Sequence, residues 1–370
     1  MEIYIITVLF IFILGFFDLS LKLSDFQKKT LILLLYLVMV IQIGLRWETG
    51  TDWNPYLENF QASDDYNIII LNSFVGFEIG YGTLAFFIKQ VFNSYSVFLF
   101  LHAVIFYLVI FRTAKKYSPF FFVTIIFFYA TTLGVVGSNR QLLAIIICLI
   151  GLDFVFEKKP FKFLGIIIFA SLFHTTAFLF GIYYFLNRNF KSITIISVLL
   201  LSFIIGKTGL PFLIFSKFGG VFGELASTKT LAYSEGRDAT LEVSLGFFGL
   251  FKRLLFIAIF TYNYSSLNAR LMYYKVLYNG YVFGMVVYFL FASSLLILVN
   301  RGSLYFNIME SFLISCQFLV FQKRLDRLCL FFILLLISIG FLFQSVSAYP
   351  DLFDPYKSLF YNSDFVRDMH

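Results

Sequence analysis

Apolar stretches close to twenty residues long recur from one end of this chain to the other, and that recurrence restricts the fold more than any other feature. About 20 helical residues cross the hydrocarbon layer of a bilayer, where each backbone N–H and C=O must be satisfied without water. The runs occupy residues 3–19, 30–45, 95–111, 119–136, 141–156, 161–173, 175–186, 192–206, 247–262, 277–299, 304–321 and 328–346. None alternates apolar with polar residues at period two, which argues against β-barrel spans. Only 13% of the residues are charged, against about 25% in soluble domains, and mean hydropathy is +0.88. The reading is an all-α, polytopic helical membrane protein of about twelve transmembrane helices, one integral membrane domain spanning 1–370. The first run follows Glu2 rather than a basic region and has no small-residue cleavage site, so it reads as a retained span.

The net charge of +7 does not point to nucleic acid, because the basic residues gather in short clusters between the runs. Such clusters mark cytoplasmic loops. With the N-terminus outside and 161–186 folded as a hairpin turning near His174, more than half of the 28 Lys and Arg fall on the inner side. Lys115 and Lys116, Lys158 and Lys159, and Arg188 and Lys191 are among them. One long helix over 161–186 would invert everything after it. The outer side then carries both termini and most of the acids. Its two large segments are 46–94, with an amphipathic re-entrant or interfacial helix over 77–92, and 207–245, an outer loop suited to act as a lid.

Three arginines break the charge rule on that outer side: Arg46 at the end of a run, Arg140 at the start of one, and Arg301 between two. Ser138 or Asn139 is placed to cap the helix that Arg140 opens. A helix N-terminus with an arginine beside it suits an anion such as a diphosphate; the plainer alternative is an arginine snorkelling at the interface. Lys252 and Arg253 interrupt an apolar run and either face a pocket or precede the span. His174, among apolar residues and hydroxyls, is a candidate general base or a structural histidine. Asp52, after Gly50-Thr51, is a candidate base or a turn and capping residue. Cys148, Cys316 and Cys329 stand singly, the three histidines are scattered, and neither a phosphate-binding glycine loop nor a GxSxG elbow is present. No metal and no cofactor are expected.

Four segments carry a resemblance. Leu45-Arg-Trp-Glu-Thr-Gly-Thr-Asp-Trp-Asn-Pro-Tyr56 is similar to the Arg…Gly-x-Asp-Tyr…Tyr segment of the EpsG family of bacterial polysaccharide polymerases, with Trp53 in place of the usual tyrosine. Phe77-Glu-Ile-Gly-Tyr81, Asn139-Arg-Gln-Leu-Leu-Ala144 and Ala170-Ser-Leu-Phe-His-Thr-Thr-Ala177 resemble three further elements of that family, in the same order. Weaker echoes occur at Arg301-Gly-Ser-Leu-Tyr-Phe306 and Asp354-Pro-Tyr-Lys357. The family is related in role to the Wzy O-antigen polymerases.

The resemblance implies that the protein joins oligosaccharide repeat units carried on undecaprenyl diphosphate, at the periplasmic face of the bacterial inner membrane. Its partners would be that lipid-linked sugar, membrane lipid and a chain-length regulator protein. On this reading His174 or Asp52 is the catalytic base, and Arg46, Arg140 and Arg301 bind diphosphate. Trp47, Trp53, Tyr56, Glu78, Tyr81, Gln141 and Arg253 bind substrate. A flippase for the same lipid, a membrane acyltransferase using His174 and a glycan ligase are the competing classes. A flippase needs cations spread through the bilayer depth, whereas these gather at one boundary.

Overall fold

A computed structural model describes residues 1–74, 76–218, 247–294 and 298–367, and 77% of the structure is helical. Among the described residues there is no strand, only an isolated antiparallel bridge between Arg46 and Ser358. Among the described residues five helices are long and apolar enough to cross a membrane: Glu2–Ser20, Asp25–Gly44, Tyr95–Tyr117, Asn139–Phe156 and Arg324–Val346. Phe121–Val135, Pro160–Ser171, Thr175–Leu186 and Ser192–Gly206 are apolar but shorter. The chain is a multi-pass helical membrane protein.

Local chemistry accounts for several helix starts. Ser24 and Gln27 close a reciprocal capping box ahead of Asp25–Gly44. Pro160 opens Pro160–Ser171, where its missing N–H removes no hydrogen bond. Burial then sorts the helices by layer. Every residue from Phe121 to Ala130 is buried, and a helix apolar all round belongs at the centre. It packs against Glu2–Ser20, Met309–Gln317 and Arg324–Val346. In Asp25–Gly44 one stripe, Leu35, Met39 and Ile43, is buried, while Leu33, Leu37 and Ile41 are exposed on another. Such an exposed aliphatic stripe belongs against lipid tails rather than water.

The helix boundaries depart from the sequence reading in instructive places. The run at 277–299 is not one helix: Tyr274–Phe291 stops at Phe291, and a π-helical turn, Leu298–Gly302, follows. The run at 304–321 splits into Leu304–Asn307 and Met309–Gln317. Between 161 and 186 the chain breaks at His174, where the sequence placed a turn, with an extended φ of −158°, and differs only in continuing as a 3-10 helix, Thr175–Ile182. Segment 46–94 holds three helices, Trp53–Gln61, Tyr66–Phe74 and Ile79–Val91. Leu210–Phe218 follows Ser192–Gly206, and the rest of the expected 207–245 loop lies outside the described residues.

At the end of the bundle that carries the basic clusters, Asp153 is held by Lys116 at 2.8 Å, Arg112 at 3.3 Å and the Tyr117 hydroxyl. The loops preceding Tyr95–Tyr117 and Asn139–Phe156 lie at the opposite end of those helices. There the three helices of 46–94 pack over the bundle.

Candidate active site

The chain leaves Asp25–Gly44 at Leu45 and turns tightly before the next helix. Glu48 has φ +46° and Gly50 has φ +94°, a backbone region that glycine adopts freely. A Cβ built on Gly50 would lie 2.5 Å from the Gly137 Cα, so this turn rests directly on the turn that opens the Arg140 helix. Asp52 occupies the N-cap position of Trp53–Gln61, yet its side chain makes no capping bond. Its carboxylate instead faces Arg301 at 3.6 Å, both side chains being partly exposed.

Arg140 lies in the first turn of Asn139–Phe156. Its guanidinium donates to Glu78 Oε2 at 2.6 Å and to the Gly76 carbonyl at 2.6 Å. Through Nε it donates to the Tyr56 hydroxyl at 3.3 Å. Its planar face lies 4.5 Å from the Phe77 ring centre and 5.5 Å from that of Tyr56. Arg140 and Glu78 are each 13% exposed at the side chain, so solvent screens this pair little. The second Glu78 oxygen accepts the Thr175 backbone N–H at 3.1 Å. That bond ties Ile79–Val91 to the turn carrying His174, and Gly80 makes the approach possible: its N–H reaches the Leu172 carbonyl at 2.7 Å.

His174 is buried, 5% exposed. Its Nδ1 is 2.6 Å from Thr176 Oγ1 and accepts the Thr176 backbone N–H at 3.4 Å. Thr176 Oγ1 in turn donates to the Tyr305 hydroxyl at 3.3 Å. The Gln141 amide donates to the Arg301 carbonyl, joining the Arg140 helix to the π-helical turn that presents Arg301. π-Helical turns are often found at functional sites. Tyr56 sits where these charges meet. Burial raises the pKa of its phenol; Arg140 and Arg301 act against that rise, and Asp52 adds to it.

Seven of the residues singled out in the sequence therefore form one linked cluster: Asp52, Tyr56, Glu78, Arg140, Gln141, His174 and Arg301. The others lie elsewhere. Arg46 is 2% exposed and turned into the core, donating to the Ile43 carbonyl at 2.6 Å, the Val136 carbonyl at 3.2 Å and Asn139 Oδ1 at 2.7 Å. Burial lowers its pKa. Asn139 thus receives Arg46 with the side chain that was expected to cap a helix, and its carbonyl is 3.0 Å from His102 Nε2. Ser138 takes the N-cap position without a side-chain bond.

Trp53 and Tyr81 are almost fully buried beneath the cluster. Trp53 packs edge-on against Trp47 at 5.0 Å and Tyr95 at 5.3 Å, while Tyr81 meets Tyr56 at 5.3 Å. Arg253 stacks on Tyr288 at 4.1 Å and bonds the Gly249 carbonyl at 3.1 Å, neither of them a cluster residue. Beside it Lys252 pairs with Glu310 at 2.9 Å, near Phe341. Sequence reasoning did not single out Thr175, Thr176 or Tyr305, although Tyr305 lies within the weak echo that begins at Arg301. Among the described residues no three His, Cys, Asp or Glu side chains converge as a metal site would require.

The model of the EpsG family matches residues 29–358 of the chain. No curated protein and no solved structure matches it. The matched range takes in every residue of the cluster.

Proposed function

We infer that this chain, which belongs to the EpsG family, joins undecaprenyl-diphosphate-linked oligosaccharide repeat units by glycosyl transfer at the periplasmic face of the bacterial inner membrane. Membership of the family gives the coarser part, a polysaccharide polymerase type of function. The finer part rests on one observation. Two arginines from helix ends far apart in sequence, Arg140 and Arg301, are gathered with Asp52, Glu78 and Tyr56 at the end of the bundle opposite the basic clusters.

In the reaction an acceptor hydroxyl of one lipid-linked unit attacks the anomeric carbon of the growing chain. The bond from that carbon to the phosphate oxygen breaks, and undecaprenyl diphosphate leaves with the electron pair. Negative charge grows on the leaving diphosphate, where preorganised guanidinium groups stabilise it most. Glu78 and the Gly76 carbonyl fix the orientation of Arg140, and among the described residues the bonds that hold it run through Nε and Nη1. Arg301 is the more exposed of the two, and its pair with Asp52 is loose at 3.6 Å. An arriving diphosphate draws Arg301 away from Asp52, and the released carboxylate takes the acceptor proton.

His174, with Nδ1 engaged inside its own turn, shapes the Thr175–Thr176 backbone that receives Glu78. Arg46 acts from beneath, fixing the start of the Arg140 helix through Asn139. Trp47, partly exposed, offers a ring face to sugars, while Tyr56, 2% exposed, packs beneath Arg140, and the exposed aliphatic stripes suit the polyprenyl tail. Completing about twelve crossings falls to the shorter apolar helices, paired or broken as at His174.

The test is reconstitution of the purified protein in vesicles with lipid-linked repeat units. Expected are longer glycan and one undecaprenyl diphosphate released per linkage, unaffected by chelator. Arg140→Ala should leave single repeats unpolymerised. Transbilayer movement of the lipid without linkage would replace this reading with a flippase, and transfer to a different lipid would replace it with a ligase.

A further inference from the structure

The segment after the last long helix folds back over the turn that carries Asp52. Arg46 and Ser358 form an antiparallel bridge. Flanking it, the Trp47 N–H donates to the Lys357 carbonyl at 3.0 Å and the Leu359 N–H to the Leu45 carbonyl at 3.1 Å. Lys357 Nζ donates to Glu48 Oε2 at 2.6 Å and to the Phe365 carbonyl. Arg367, 6% exposed, donates to the Glu48 carbonyl at 2.9 Å and to the carbonyls of Leu352 and Pro355. The Tyr356 hydroxyl reaches the Gln42 carbonyl at 2.7 Å. Two of these bonds, from Lys357 and Arg367, meet at Glu48, the residue whose φ of +46° begins the turn to Asp52.

An L residue at positive φ is strained unless its surroundings hold it. Here two cations from a segment some three hundred residues downstream hold both ends of Glu48, its carbonyl and its carboxylate. On the other side the turn is stopped by the Gly50–Gly137 contact. Two surfaces therefore set the position of Asp52, and one of them is supplied entirely by residues 350–367.

We propose that residues 350–367 are a clasp, with Lys357 and Arg367 as positioning residues that hold the 46–52 turn so that Asp52 faces Arg301. This rests on the role given to Asp52 above and adds the device that maintains it. Without the clasp the turn relaxes, Asp52 departs from Arg301, and the chemical step suffers while binding of lipid-linked sugar through Arg140 persists.

The test has two arms. In a Cys329→Ser background, Thr49→Cys, 2% exposed, reports the turn and Ser63→Cys, 1% exposed, serves as a control in a separate turn. Arg367→Ala and Lys357→Met should each raise maleimide labelling at position 49 by at least about tenfold, as local opening would, and leave position 63 unchanged. In the vesicle assay each should lower kcat by about tenfold or more with KM within about twofold. A general loosening would raise labelling at both positions and KM as well. Unchanged labelling at position 49 in both variants, or equal increases at both positions, overturns the proposal. If the unsubstituted protein makes no polymer, the polymerase reading fails while the labelling arm still decides on the clasp. Should Arg367→Ala not fold, Arg367→Lys, which keeps the charge but loses the forked geometry, takes its place.

Discussion

Asn139 receives the Arg46 guanidinium through its side chain, and the next residue, Arg140, directs its own guanidinium to Glu78 and Tyr56. The two substitutions should therefore fail in different ways. Arg46→Ala strips the donor from two buried carbonyls and Asn139 Oδ1, and each such loss costs about 1–3 kcal/mol. We expect a sharp drop in folded yield and melting temperature in detergent, with Arg46→Lys restoring little because an ammonium cannot reproduce the fork. Arg140→Ala leaves the Glu78 carboxylate without its cation and should lower the melting temperature while still giving folded protein, and should lower polymerisation by about a hundredfold to a thousandfold, the scale for removing one charge-stabilising donor. A well-folded, active Arg46→Ala protein would refute the structural role. Normal polymer made by Arg140→Ala would refute the catalytic one.

At the scale of elements, the site depends on how closely Ile79–Val91 approaches the His174 turn. A Cβ added at Gly80 would lie 2.7 Å from the Leu172 carbonyl oxygen, a contact that neither backbone can relieve without moving. Gly80→Ala should lower stability by about 1–3 kcal/mol and reduce activity through loss of the Glu78–Thr175 bond, both measurable on the purified protein. Much of this layer was legible in the sequence. Long apolar runs became helices because a bilayer leaves the backbone no other partner, and the polar residues at 174–176 marked a break. The stop at Phe291 was not legible, since Ala292-Ser293-Ser294 is a short interruption inside an apolar run and no Pro or Gly marks the change. The inward turn of Arg46 was equally hidden. A guanidinium at the end of an apolar run reads the same whether it faces solvent or carbonyls from another helix. Lys252 was visible as a cation out of place, but its partner Glu310 lies on a helix distant in sequence. The sites of the motifs were legible; which of their side chains meet was fixed only by packing.

Across the whole molecule, charge is divided between two ends. Asp153 with Arg112 and Lys116 marks one, and the Asp52–Arg301 and Glu78–Arg140 pairs mark the other. The 23-residue Tyr95–Tyr117 helix is about 34 Å long, enough to separate two aqueous compartments. In a Cys329→Ser background an impermeant maleimide should label Asn93→Cys in intact cells and Lys115→Cys only after permeabilisation. The reverse pattern would put the cluster on the cytoplasmic side and remove the proposed substrate from its reach. If the orientation is as inferred, a lipid-linked diphosphate arriving at that face meets Arg140 and Arg301 together. Equilibrium binding of undecaprenyl diphosphate to the protein in nanodiscs examines that meeting most directly. Arg140→Ala and Arg301→Ala should each weaken binding by about tenfold or more, roughly the worth of one charge-assisted hydrogen bond. Wild-type affinity in both variants would contradict the diphosphate site.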